Sequence, residues 1–111
     1  MITTKHLKDI VILEPQGVIM GGPETTEFRA TLEELLSKDL RKIVVDLQEV
    51  KWINAAGIGV LVDVLTRLRN MSGDLKLARC CGRIGTIMQL LKMDNLFSHY
   101  ETLETAIASF A

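Results

Sequence analysis

The sequence predicts one α/β domain spanning residues 1–111, with a four- to five-stranded, mostly parallel sheet, an N-terminal antiparallel hairpin and four helices. Three observations predict it. Short β-branched runs alternate with stretches of helical apolar spacing, which demands crossover connections and hence parallel strands. The run Ile43-Val44-Val45-Asp46-Leu47 is nearly all apolar, the pattern of a strand covered on both faces. A chain of 111 residues with 48% hydrophobic content can bury a core without disulfides or a metal.

Ile10-Val11-Ile12-Leu13 is β-branched, stops at Pro15 and Gly17, and reads as a strand. Met1 to Leu7 reads as a weaker strand folded back on it around Lys8-Asp9. After Gly21-Gly22, Pro23 suits the first position of a helix, where its missing N–H has no partner to lose. Phe28, Leu32, Leu35 and Leu36 then recur at helical spacing, with the charge pairs Arg29/Glu33 and Glu34/Lys38 on the opposite face.

The all-apolar strand at Ile43 comes next, and Gln48 to Ile53 reads as a loop. A long helix is predicted from about Ala55 to Asn70, with Ile58, Leu61, Leu65 and Leu68 as its stripe and Val60, Val62 and Val64 widening it. Gly73 precedes the alternating strand Leu75-Lys76-Leu77-Ala78. Ile84, Ile87, Met88 and Leu91 mark a third helix, and Phe97 to Tyr100 a short edge strand. Thr102 is placed to cap a final helix carrying Leu103, Ala106, Ile107 and Phe110. The order is β-β-α-β-α-β-α-β-α.

Composition narrows the function. With 13 Lys+Arg against 14 Asp+Glu, no basic excess suggests a nucleic-acid track, and the same balance argues against a protein held electrostatically on a membrane. Met1 to Asp9 has no signal-peptide pattern, and the longest run without a polar side chain, Ala55 to Val62, falls far short of a spanning helix. A soluble, cytoplasmic protein is expected. Cys80 and Cys81 are adjacent, with no further cysteine or nearby histidine to complete a zinc set, and read as two small thiols at a strand end. His6 and His99 have no ligand spacing.

Gly57-Ile58-Gly59 opens a helix after a strand, as a dinucleotide site would. The third glycine position of that fingerprint falls on Val62, so the two glycines are better read as letting the helix start sit tightly on the sheet. Asp46 has no partner for acid–base work and is expected to accept loop N–H groups. No catalytic motif, metal site or cofactor site assembles, and no enzyme activity is expected.

One stretch carries more information. Asp46-Leu47, a short loop with Trp52, then Asn54-Ala55-Ala56-Gly57-Ile58-Gly59 and a long helix resemble the central motif of the anti-sigma factor antagonist (STAS domain) family: Asp-Leu, an aromatic loop, Asp-Ser-Ser/Ala-Gly-Leu-Gly and a helix. The loop around Gly17, the helix with Leu35-Leu36, Gly73, and the tail Leu90-Leu91-Lys92-Met93-Asp94-Asn95-Leu96-Phe97 fall in family order, so the resemblance covers essentially the whole chain.

The resemblance implies binding to a kinase that is itself an anti-sigma factor. In such antagonists the kinase phosphorylates the first serine of the motif, and the added dianion, tolerated at a helix N-terminus, disrupts docking. This chain departs there. Ala55 stands at the phosphoacceptor position and cannot be phosphorylated, Asn54 replaces the acidic residue before it, and Met20 replaces an acidic residue common in the loop after the second strand. Asn54 still suits a helix cap.

The expected partner is therefore a serine-kinase-type anti-sigma factor or another regulatory protein, met by a monomer or dimer. The expected partner-binding residues are Met20, Gly21, Trp52, Asn54, Ala55, Ala56, Gly57, Gly59, Asp63, Thr66 and Arg67, within a surface running over Gly17 to Pro23, Trp52 to Gly59 and the outward face of the long helix. Trp52 fits two roles equally, an exposed anchor or a core residue capping the sheet. Asp63 with Arg67 also fits an ordinary i,i+4 pair. The same resemblance leaves room for a scaffold subunit of a stress-signalling assembly or a regulatory domain of a transporter. A small-ligand site at the start of the long helix is the remaining alternative, and an apolar pocket there would support it.

Overall fold

Strand β1 (Ile2–Leu7) turns back on β2 (Ile10–Pro15) through Lys8 and Asp9, with Leu7 opposite Ile10 and Ile2 opposite Pro15. Lys8 takes the left-handed backbone of this tight reversal (φ 58°), and Lys42 Nζ reaches Asp9 across it at 2.8 Å. These elements belong to a computed structural model that describes residues 2–80, 82–93 and 95–110. The expected strand start at Met1, the second thiol at Cys81 and Asp94 of the tail lie outside the described residues.

The chain continues through β3 (Gly17–Ile19), α1 (Pro23–Ser37), β4 (Lys42–Asp46), β5 (Val50–Ile53), α2 (Ala55–Asn70), β6 (Asp74–Ala78), α3 (Gly82–Leu90), β7 (Ser98–Tyr100) and α4 (Leu103–Ala108). The main sheet has five strands in the order β1-β2-β4-β6-β7, antiparallel only at the opening hairpin.

Side-chain alternation splits the core into two layers. Val11 and Leu13, Ile43 and Val45, and Leu75 and Leu77 point to one face, where α1, α2 and α3 bury Phe28, Leu32, Leu61, Val64, Leu65, Leu68, Ile84 and Met88 against them. Ile10, Ile12, Val44 and Ala78 point to the other, covered by Ala106 of α4 with Leu103, Ile107 and Phe110. The two-sided burial of β4 explains its continuous apolar run.

The helix starts follow their local chemistry. Pro23 opens α1, and the Thr102 hydroxyl accepts the Thr105 N–H (3.1 Å) at the start of α4. Gly73 is required by packing, because a Cβ there would run into the Arg41 carbonyl oxygen, while the Asp74 N–H donates to that same oxygen at 2.9 Å.

Two expectations need correction. Gln48 to Ile53 is not all loop: Val50–Ile53 is a strand, and it pairs in parallel with β3 as a second, two-stranded sheet. Neither segment alternates over enough residues to announce a strand, and each exists because the other completes its hydrogen bonds. Leu91 lies beyond α3 and is exposed, so it does not extend that helix's buried face.

Candidate docking site

The second sheet projects the candidate site. In its parallel register Val18 lies beside Trp52 and Ile19 beside Ile53, so neighbouring side chains share a face. Ile19 and Ile53 turn inward and are buried. Val18 and Trp52 turn outward, 38% and 37% exposed, and Met20 follows at 47%. Trp52 is therefore a partly exposed residue, with the Arg83 guanidinium 5.5 Å from its ring centroid.

Asn54 joins this sheet to α2. Its Oδ1 accepts the N–H groups of Ala56 (3.1 Å) and Gly57 (3.2 Å), satisfying donors that the first turn leaves open. Its Nδ2 donates to the Met20 carbonyl (3.2 Å), and its backbone N–H donates to the Ile19 carbonyl (3.2 Å). One side chain thus starts the helix and holds the Met20 loop against it. Gly21 sits in that loop with φ 92°, a backbone only glycine adopts freely, and donates its N–H to Thr25 Oγ1 at 2.7 Å.

The two glycines of α2 differ. A Cβ on Gly57 would lie 2.6 Å from the Ile19 carbonyl oxygen and 2.7 Å from Ile53 Cγ1, so this glycine lets the helix press onto the second sheet. A Cβ on Gly59 would meet nothing within 4 Å. The expected packing role therefore belongs to Gly57 alone.

Gly59 instead lines an open apolar groove of about 280 Å³, with Ala55, Ile58 and Val62 on one wall and Leu91 and Met93 on the other. Ala55, Ala56 and Gly59 are exposed, and Leu90 beside the groove is 76% exposed. Sequence reasoning missed the wall formed after α3. The adjacent Leu90-Leu91 was its signal: at the end of a short helix with Ile84 and Met88 already on its buried face, two further leucines exceed what that face can cover.

Asp63 and Arg67 turn toward α1, away from this patch, while the exposed Thr66 lies one turn beyond Val62 on the same face of α2 as Ala55 and Gly59. Arg67 forks onto Glu33 of α1 at 2.8 and 2.5 Å and meets Asp63 at 3.2 Å, while Arg29 reaches Asp63 at 2.8 Å. The expected Asp63/Arg67 pair exists, as half of a four-residue network that ties α1 to α2. The Arg67 guanidinium holds the Glu33 carboxyl below its ordinary value, against partial desolvation and the nearby Asp63 charge. The Thr66 hydroxyl, exposed, donates to the Val62 carbonyl (2.9 Å).

Asp46 is fully buried at the end of β4. Its Oδ1 accepts the Gln48 N–H (3.1 Å), as the sequence suggested, and also Arg79 Nε (3.0 Å), while Arg79 Nη2 bonds Oδ2. The arginine was not anticipated, since it lies 33 residues further on. Among the described residues no three His, Cys, Asp or Glu side chains converge as metal ligands, and no helix is long and apolar enough to cross a membrane.

A five-stranded mixed sheet with a second small sheet that presents a capped helix start and an apolar groove defines a single-domain α/β protein with helices on both faces of its sheet. The sequence pattern of the STAS domain matches residues 1–106, and the chain belongs to the STAS domain family. It is 24% identical over 107 residues to a Thermotoga neapolitana protein provisionally named an anti-sigma factor antagonist, covering 96% of this chain and 95% of that one. A Thermotoga maritima crystal structure carrying the same provisional name superimposes with a TM-score of 0.90 at 24% identity, over 97% of this chain and 92% of that one. The phosphorylated Bacillus cell-fate determinant SpoIIAA shares the fold (TM-score 0.77, 13% identity, 100% of both chains).

Proposed function

We propose that this chain is an anti-sigma factor antagonist-like docking module of the cytoplasm. It binds a serine-kinase-type anti-sigma factor, or a related regulatory protein, as a monomer or dimer, and performs no catalysis of its own. The observation that carries the reading is the exposed apolar surface made by Val18, Met20, Trp52, Ala55, Ala56 and Gly59 around the capped start of α2. Apolar and aromatic surface grouped this way is what an interface core requires. The names of the relatives support an anti-sigma factor as the partner, and Ala55 underlies the proposed difference in regulation. With no hydroxyl at that position, docking does not end by phosphate transfer to residue 55.

Titration calorimetry with the partner kinase tests this. Wild-type protein incubated with kinase and ATP should bind and incorporate no phosphate at Ala55. Ala55→Asp puts a carboxylate where the helix dipole tolerates it, so the fold persists, but it charges the centre of the interface. Its affinity should fall roughly a hundredfold, the cost of burying an unpaired charge in an interface. Undiminished binding by Ala55→Asp would remove this surface from the docking site.

The groove beside Ala55 favours a second reading, an apolar small ligand. All six lining residues are apolar or glycine, with no polar side chain to orient a ligand, which suits a partner's apolar side chain better. Saturable binding of an environment-sensitive apolar dye, abolished by Gly59→Leu, would support the ligand instead. A large assembly in light scattering would favour the scaffold role.

A further inference from the structure

We infer that the Asp46–Arg79 pair is a positioning clamp that sets the spacing between the two walls of the docking groove. The inference rests on the docking reading for its consequence, but not for its geometry.

Asp46 closes β4 and Arg79 follows β6, neighbouring strands whose registers meet at Asp46 and Ala78. From Asp46 the chain leads through the Gln48 turn into β5, Trp52, Asn54 and the α2 wall. From Arg79 it leads into α3, which brings Arg83 over Trp52 and is followed by Leu91 and Met93, the opposite wall. The clamp therefore joins the two segments just before they diverge. Its carboxylate is fully buried, accepts two donors from Arg79, and holds the first turn residue through the Gln48 N–H.

Arg79 reaches this contact from a left-handed turn. Its φ is 56°, a left-handed conformation that glycine or asparagine adopts more readily than arginine. Lys8 and Lys92 share it (φ 58° each), and Arg79 differs from them in the buried carboxylate that its side chain meets. Here the same residue donates its N–H to the Tyr100 carbonyl (2.8 Å) and turns its side chain back across the end of β4. The buried Asp46 carboxylate needs that charged partner.

The test is the double variant Asp46→Asn/Arg79→Gly, which avoids a stranded buried charge and relieves the left-handed backbone, so that it stays folded. Three readouts are taken: hydrogen exchange of the α3 amides relative to α1, emission of the sole tryptophan, Trp52, and affinity for the partner kinase. The clamp requires α3 amides to exchange about tenfold faster while α1 is unchanged, a shifted Trp52 emission, and docking weakened about tenfold, the size of loss that a loosened supporting shell produces. Wild-type α3 exchange and Trp52 emission in the double variant would overturn the clamp. Loosened α3 with unaltered docking would leave the clamp standing and count against the groove as the docking site, a result that Ala55→Asp would repeat. Should the double variant unfold, Arg79→Lys, which keeps the charge but loses the fork, must give the same three changes in smaller measure, and wild-type values there would overturn the clamp.

Discussion

Gly57 and Gly59 are two residues apart in one helix, yet alanine should act on them with opposite sign. In an exposed helix interior, Gly→Ala is stabilising by about 1 kcal/mol, because glycine has more backbone freedom to lose on folding. At Gly59 the new methyl meets nothing within 4 Å, so the full gain should appear. At Gly57 the same gain is opposed by a Cβ placed 2.6 Å from a backbone carbonyl and under 3 Å from two isoleucine side chains, 2.7 Å from Ile53 Cγ1 and 2.8 Å from Ile19 Cγ2. Ile19 is tied into β3 and its carbonyl receives the Asn54 N–H, so neither can retreat without loosening the second sheet. Overpacking of this kind costs about 1–3 kcal/mol or more. The net expectation is a loss of about 1–2 kcal/mol for Gly57→Ala and a gain of up to about 1 kcal/mol for Gly59→Ala. In urea the midpoints should move in opposite directions with unchanged slope. A Gly57→Ala protein as stable as wild type would refute the close approach of α2 to the second sheet, and a destabilised Gly59→Ala would refute the open groove.

Removing the cap by Asn54→Ala should cost about 1 kcal/mol in chemical denaturation, and the Met20 carbonyl loses its side-chain donor as well, so faster exchange of the Gly21 amide should accompany the loss. The Glu33–Arg67 fork should give a small, acid-sensitive contribution. Because the folded carboxyl lies below its ordinary value near 4.5, the contribution is complete above that pH and disappears as pH falls through the lowered value. Both side chains are about two-fifths exposed (43% and 40%), which limits it to a few tenths of a kcal/mol, screened further by salt. Comparing urea midpoints of wild type and Arg67→Gln at neutral and acid pH checks it: the difference should shrink on acidification.

Much of this molecule is local and therefore legible in the sequence. Helix starts at Pro23, Asn54 and Thr102 are set by groups within three residues of each other, and the apolar stripe of α2 states directly which face is buried. The helical and strand periodicities also announce the α/β order, and the motif around Ala55 marks the start of α2 as the region of interest. Where expectation and structure part, the partners are distant in the chain. Val50–Ile53 is a strand because Gly17–Ile19 lies beside it, and the outward Val18–Trp52 row exists only in that pairing.

The same physical reason separates the remaining outcomes. That Ala55 lacks a hydroxyl and that Asn54 can cap are properties of the residues themselves. That Gly57 is locked while Gly59 is free, that Asp63 and Arg67 are drawn to α1, and that Leu91 faces Ala55 across a groove depend on surfaces meeting in space. Asp46 shows the division within one side chain. Its turn contact, two residues away, follows from the chain's local path, whereas its arginine arrives from the next strand of the sheet and is decided by tertiary packing alone.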